Sequence, residues 1–196
     1  TKGAAMALLG KVYLTRKEWS LAADKLRQVV ESAGQANYRL LDNYADIFGP
    51  ANENNAESIF EVQFKGGSNG EGSPFSNQFA PIGSGTAVVP VGNPLGQNIP
   101  TDELFQAYQE GDLRRAVSMD TSYVLNGNTV RHNYIKKYQS TPAAYLDADV
   151  NWIVLRYADV LLMRKHSTNR DLWQMVLPST TSTKSEPVLV YLNIQR

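Results

Sequence analysis

The chain has 196 residues, with 19 Lys and Arg against 19 Asp and Glu and no formal net charge. That balance argues against a nucleic-acid surface, which needs clustered cations facing phosphates, and no run of like charge suggests an anionic membrane. The sequence holds no Cys, which removes disulfides, thiolate catalysis and every Cys-based metal site. No apolar run reaches the roughly 18 to 20 residues that span a bilayer. The length suits one domain with a real core. It opens on Thr1-Lys2-Gly3-Ala4 without a signal peptide, so a preceding segment is expected.

Residues 3–33 carry the strongest local pattern. Ala5, Leu8, Leu9, Val12 and Tyr13 form one helical stripe, and Trp19, Ala22, Ala23, Leu26, Val29 and Val30 form a second. A short charged break (Thr15-Arg16-Lys17-Glu18) separates them, and Gly34 offers a helix stop. This predicts a helical hairpin. Leu9-Gly10, Tyr13, Ala22, Leu26 and Val29 also fall at the offsets of a tetratricopeptide repeat, with Gly10 expected against Ala22 or Ala23. An ordinary hairpin fits the same residues, since one repeat alone is visible.

Beyond it the period changes. Tyr38-Arg39-Leu40-Leu41 leads to Tyr44, Phe48 and an Asn-rich turn at 52–55, and Ser58–Phe64 alternates as a short strand. Residues 66–98 are rich in Gly and Pro and have no period, which predicts a long structured loop. Pro100–Tyr108 reads as a helix with Thr101 as N-cap and acids in its first turn, stopped near Gly111. Asn126-Gly127 is a turn, Tyr134–Tyr138 a short strand, and Trp152–Leu155 an extended approach to a helix from Tyr157.

Catalytic patterns are sparse. Gly66-Gly67-Ser68-Asn69-Gly70 matches G-x-S-x-G after a strand, but Glu71-Gly72-Ser73-Pro74 cannot start the helix that a nucleophile elbow requires. His132 and His166 are isolated, Asp42 and Asp46 read as a solvated face, and no metal set emerges. Glu53, Glu57, Glu61, Glu110 and Asp112 offer no spacing that selects a glycosidase pair. Gly83-Ser84-Gly85 lacks the rest of a dinucleotide loop. No catalytic residue and no cofactor is therefore expected. Aromatic and amide side chains remain, and these suit sugar rings, which offer apolar C–H faces and a belt of hydroxyls. Phe75, Asn77, Gln78 and Phe79 sit together in the long loop; with Asn93 and Tyr123 they are the candidate ligand-binding residues. The competing reading makes the aromatics anchors that hold the loop to the body.

Five segments taken in order resemble one family. They are Ala7–Leu14 with Trp19, Tyr38-Arg39-Leu40, Glu57–Phe64, Asp112-Leu113-Arg114 and Arg156-Tyr-Ala-Asp-Val-Leu-Leu-Met163. Together they resemble the SusD/RagB family of outer-membrane nutrient-binding lipoproteins over residues 1–163, the middle of a longer member. The resemblance implies a mainly α fold, with tetratricopeptide-like helix pairs, long loops and a few short strands. It implies a non-catalytic protein at the bacterial surface that binds an oligosaccharide or other nutrient. Its partner would be a SusC-like TonB-dependent transporter, and its membrane contact a lipid anchor not present in these residues. A second reading is a helical-repeat scaffold that binds a peptide or protein. Genomic context separates the two.

The tail departs from the family. There, the Arg-Tyr-Ala-Asp motif runs into Ala-Glu-Ala-Leu-Asn-Glu, whereas here Arg164-Lys-His-Ser-Thr-Asn-Arg-Asp171 follows. Back-translating Lys165–Met175 and reading one frame over recovers Glu-Ala-Leu-Asn-Glu-Pro-Gly-Ser-Val-Ala-Asp. We read this as a frameshift that begins near Arg164 and is undone before Tyr191. The expected division is a partial SusD-like domain at 1–163, with the hairpin 3–33, a loop-rich region 34–155 and a helix start at 156–163. An irregular segment at 164–190 and a helix remnant at 191–196 follow. The helix is expected to fray soon after Met163.

Overall fold

The computed structural model describes the backbone of residues 1–176 and the side chains of residues 1–170. Among these residues seven α-helices and four short strands form a helix-rich fold with two separate strand pairs and no closed sheet. The mainly α class expected from the sequence holds.

Helix α1 (Lys2–Thr15) starts where the Thr1 hydroxyl accepts the Ala4 N–H at 3.2 Å. A tight turn with Lys17 at φ 62 leads into α2 (Trp19–Glu31). The hairpin is as expected, but its buried stripe is not. Ala4, Ala7 and Gly10 face inward, whereas Leu8, Leu9 and Val12 remain 38%, 39% and 50% exposed. The reason is steric. Small residues let the helix axes approach, and a Cβ on Gly10 would lie 2.7 Å from the Leu26 side chain. Gly10 thus faces the partner helix as expected, with Leu26 as its nearest neighbour there. Gly34, however, is not the stop. It lies inside the short α3 (Ala33–Ala36), and Asn37 at φ 57 closes that helix with its N–H on the Ala33 carbonyl.

Strand β1 (Ser58–Val62) pairs antiparallel with β4 (Trp152–Arg156), near the opposite end of the described chain. Its buried face carries Ile59 and Glu61, while Phe60 and Val62 point outward. Ile59, Leu155 and Val160 join Ala4, Ala7, Ala22, Leu26 and Val29 in one core, against which Tyr13, Tyr38 and Tyr157 pack. A second core holds Phe79, Ile135, Tyr138, Ala148 and Val150, flanked by Phe75 and Trp152. The β1–β4 ribbon therefore serves both cores.

The long loop contains a five-residue helix, α4 (Phe75–Phe79), which sequence periodicity did not reveal because it is barely more than one turn. Helix α5 (Asp102–Gln106) is capped as expected, the Thr101 hydroxyl accepting from the Leu104 N–H at 3.2 Å. After α6 (Leu113–Ser118), strands β2 (Met119–Leu125) and β3 (Asn128–Ile135) form a hairpin around Asn126 (φ 50) and Gly127 (φ 80). Two positive φ values in a two-residue turn match the right-handed strand twist, which is why Asn-Gly recurs there. Of the strand expected at 134–138, only Tyr134 and Ile135 belong to β3, and the chain turns at Lys137 and Tyr138.

Helix α7 (Tyr157–Val176) corrects the expectation for the tail. It continues well past Met163, because its inner stripe continues. Val160 and Ser167 are both fully buried, with Met163 between them packed on the core. The Ser167 hydroxyl donates back to the Met163 carbonyl at 2.8 Å, and Thr168 does the same to Arg164 at 3.0 Å. His166 meets the Trp19 ring edge-on at 5.7 Å. The expected irregular stretch from 177 onward and the helix remnant at 191–196 lie outside the described residues.

Candidate functional site

The anticipated ligand residues occupy two places. Phe75, Asn77, Gln78 and Phe79 lie on α4, with Asn93 on the strand-like loop beside it. Tyr123 sits apart on β2 and is buried. Asn77 is fully enclosed, and its amide is committed. Its nitrogen donates to the Val91 and Asn93 carbonyls at 2.8 and 3.3 Å, and its oxygen accepts the Leu146 N–H at 3.0 Å. Phe79 is buried too, and Phe75 is packed among Phe64, Phe79, Tyr138 and Trp152 at centroid distances of 4.6–5.9 Å. Gln78 is half-buried and Asn93 exposed. In this geometry Phe75, Asn77 and Phe79 hold the loop to the second core.

The G-x-S-x-G stretch is also a loop anchor. The amides of Gly67 and Ser68 donate to the Asp147 carboxylate at 3.0 and 2.6 Å, and that of Gly66 to Asp149 at 2.8 Å. Asp149 further binds Lys65 at 3.0 Å, and these hydrogen bonds hold its carboxyl below the usual carboxylate range. The chain then returns to a bridge between Ser73 and Ala148.

An accessible aromatic site lies next door. A cleft of about 330 Å³ is lined by Tyr44, Phe48, Tyr138 and Trp152, with Asn98, Lys137, Arg156 and Asp159 supplying polar groups. That volume falls in the range of small-molecule sites. The second core supports its floor: Tyr138 and Trp152 stack at 4.8 Å with 21° between planes, and Phe48 meets Tyr138 edge-on at 6.1 Å. Tyr44 and Phe48 form the wall at 5.2 Å from each other. Burial pushes the Tyr138 hydroxyl up to about 12, so it stays protonated and able to donate. Lys137 lies over the rings of Phe48 and Tyr138, at 5.8 and 5.4 Å, and Arg156 over Tyr44 at 5.7 Å.

Behind the cleft, Asn151 ties β4 to β1. Its N–H donates to Glu53 at 2.8 Å, its amide nitrogen to Glu61 at 2.9 Å, and its amide oxygen accepts from the Phe64 N–H at 2.8 Å. Burial holds the Glu53 carboxyl above its usual value, opposed by the Asn151 hydrogen bond. This network fixes the strands from which Trp152 and Arg156 project.

Comparison with known proteins places this arrangement. No family model matches the chain. SusD-like protein P2 of Formosa agariphila is 26% identical over 191 residues, covering 86% of this chain and 37% of that protein. A SusD superfamily protein from Parabacteroides distasonis superposes with a TM-score of 0.70 at 28% identity, over 86% of this chain and 40% of the other. The chain resembles SusD-like proteins in sequence and in fold. A laminarin-binding SusD-like protein likewise superposes at 0.68 and 27% identity, over 85% of this chain and 43% of that one. The chain thus spans less than half the length of these relatives.

The geometry explains the motifs that carried the resemblance. Arg156 reaches Glu57 at 3.1 Å, Tyr157 stacks on Tyr38 at 6.2 Å, and Asp159 accepts the Arg156 N–H at 2.8 Å to start α7. Asp112 caps α6 by accepting the Arg114 N–H at 2.9 Å, and the Arg114 guanidinium holds its carboxyl below the usual range. These are scaffold contacts, although Arg156 and Asp159 also face the cleft. Sequence reasoning missed Tyr44, Phe48, Asn98, Lys137 and Trp152 as one group. Only the aromatic character of Tyr44, Phe48 and Trp152 was visible, because four separate segments supply the group.

Proposed function

We propose that this chain forms part of a non-catalytic carbohydrate-binding protein of the bacterial cell surface, which receives an oligosaccharide in the aromatic cleft and passes it to a TonB-dependent transporter. One observation carries the reading: an open cleft pairs the Tyr44, Phe48 and Trp152 rings with Asn98, Arg156 and Asp159. Rings stack on the C–H faces of sugars, while amide, guanidinium and carboxylate groups bond the hydroxyls. The name of the laminarin-binding relative supports the same class of ligand.

Affinity electrophoresis of the chain in gels containing polysaccharides tests it. Retardation that Tyr44→Ala and Phe48→Ala both weaken is expected, with the oligosaccharide recovered uncleaved after incubation. Retardation by no polysaccharide, or shortened oligosaccharides, would sink the reading. The transporter step is tested by co-purification from an outer-membrane fraction of cells that co-express a TonB-dependent transporter.

A further inference from the structure

Lys137 is the cleft cation that makes no direct ion pair among the described residues, Asp159 acting on it only from a distance. Among the described residues no carboxylate lies within ion-pair distance of its ammonium, which rests over the Phe48 and Tyr138 rings. The acids around it are directed elsewhere. Asp159 accepts from the Arg156 N–H, and Glu57 pairs with the Arg156 guanidinium. On the far side of Lys137, Glu53 and Glu61 share a water-sized cavity with it but bind Asn151 and Asn54. Arg156 adds a second cation to the same wall. A half-buried ammonium beside another cation is unfavourable in the empty cleft, and burial followed by Arg156 pulls the Lys137 pKa below its usual value.

Resting on the carbohydrate reading above, we propose that the cleft selects an acidic oligosaccharide, one whose uronate carboxylate or sulfate ester pairs with Lys137 while its ring stacks against Phe48 and Trp152. The anion supplies the charge that the protein withholds. A neutral glycan would leave the ammonium desolvated and unpaired. The aromatic rings alone would bind either kind, so the discrimination resides in Lys137.

The test compares matched ligands by titration calorimetry on the full chain. Polygalacturonate and alginate oligosaccharides are set against their carboxyl-reduced forms, and carrageenan oligosaccharides against their desulfated forms. The acidic member of at least one pair should bind roughly tenfold tighter or more. The carboxyl-reduced and desulfated arms show which anion is read. Lys137→Met should abolish the preference, and Lys137→Arg should keep much of it. Equal affinity within every pair, with Phe48→Ala still weakening both members, overturns the acidic preference and leaves carbohydrate binding intact. Binding to none of the ligands overturns both. A preference that survives Lys137→Met overturns the role of Lys137.

Discussion

The guanidinium of Arg156 lies 3.1 Å from the carboxylate of Glu57, which precedes it by 99 residues. Glu57 is almost completely enclosed, and its other oxygen accepts the Leu41 N–H at 3.0 Å. The pair therefore locks the loop before β1 to the junction of β4 and α7. Losing one member of a fully buried pair costs roughly 3–5 kcal/mol, because the other is left charged and unpaired. The Arg156 side chain is 23% exposed, so the cost here should fall below that range. Arg156→Met and Arg156→Lys should both lower the urea midpoint, since an ammonium does not reproduce the guanidinium fork. An unchanged midpoint in Arg156→Met would show the pair to be ornamental.

Gly10→Ala sets two effects against each other. Alanine gains up to about 1 kcal/mol of helix propensity over glycine. Its methyl, however, would sit 2.7 Å from both Cγ and Cδ2 of Leu26, and overpacking a core costs about 1–3 kcal/mol. A net loss in thermal stability is expected, recovered in part by Leu26→Val in the double variant. Greater stability in Gly10→Ala alone would refute the close approach of α1 and α2.

The two aromatic groups should separate by assay. Phe79→Ala removes a buried ring and should cost about 3–5 kcal/mol in unfolding free energy, while the folded fraction keeps its ligand affinity. Phe48→Ala should weaken binding, with base stacking on aromatics, about 1–3 kcal/mol, as an upper guide to magnitude. The reverse pattern would return the site to α4.

Lys137→Met should raise the melting temperature of the ligand-free chain while removing acidic-ligand preference. Burial and the neighbouring Arg156 lower the folded-state pKa of Lys137. The native state then binds fewer protons than the unfolded chain between that lowered value and 10.5. Stability must therefore rise with pH across this window. Melting curves of the parent chain should approach those of Lys137→Met as the buffer becomes alkaline. Parallel curves would contradict the assigned shift.

Ser167→Leu tests the alternative reading frame. In that frame position 167 is leucine, and in the structure Ser167 is fully buried on α7. The continuous helix to Val176 counts against that frame, and Ser167 fills its site with its hydroxyl on the Met163 carbonyl, so Ser167→Leu should overpack the site and lower the melting temperature. A higher melting temperature would mean that the site was shaped for the larger residue, and sequencing the gene with its flanks decides the frame directly.

Much of the fold was legible because its signals are local. Thr101, expected as an N-cap, caps α5 through a hydrogen bond to the amide three residues on. Asn126-Gly127 turns the β2–β3 hairpin through its own backbone angles. The cleft was not legible in that way. Tyr44, Asn98, Tyr138 and Trp152 come from four separate segments that meet only in the tertiary fold, and no spacing along the chain encodes that meeting.

The amino-acid sequence by itself determined the helical hairpin, the Thr101 cap and the Asn-Gly turn, since each depends on residues close along the chain. Tertiary structure decided which face of α1 is buried, how far α7 runs, and which aromatics line the open cleft. Leu8 and Leu9 are as apolar as Leu26, yet the small Ala4, Ala7 and Gly10 win the interface because only they admit a close helix. Ser167 stays helical and buried because α2 and α7 pack along each other. Such outcomes depend on the shape of distant partners, and hydrophobicity along one segment carries no record of that shape.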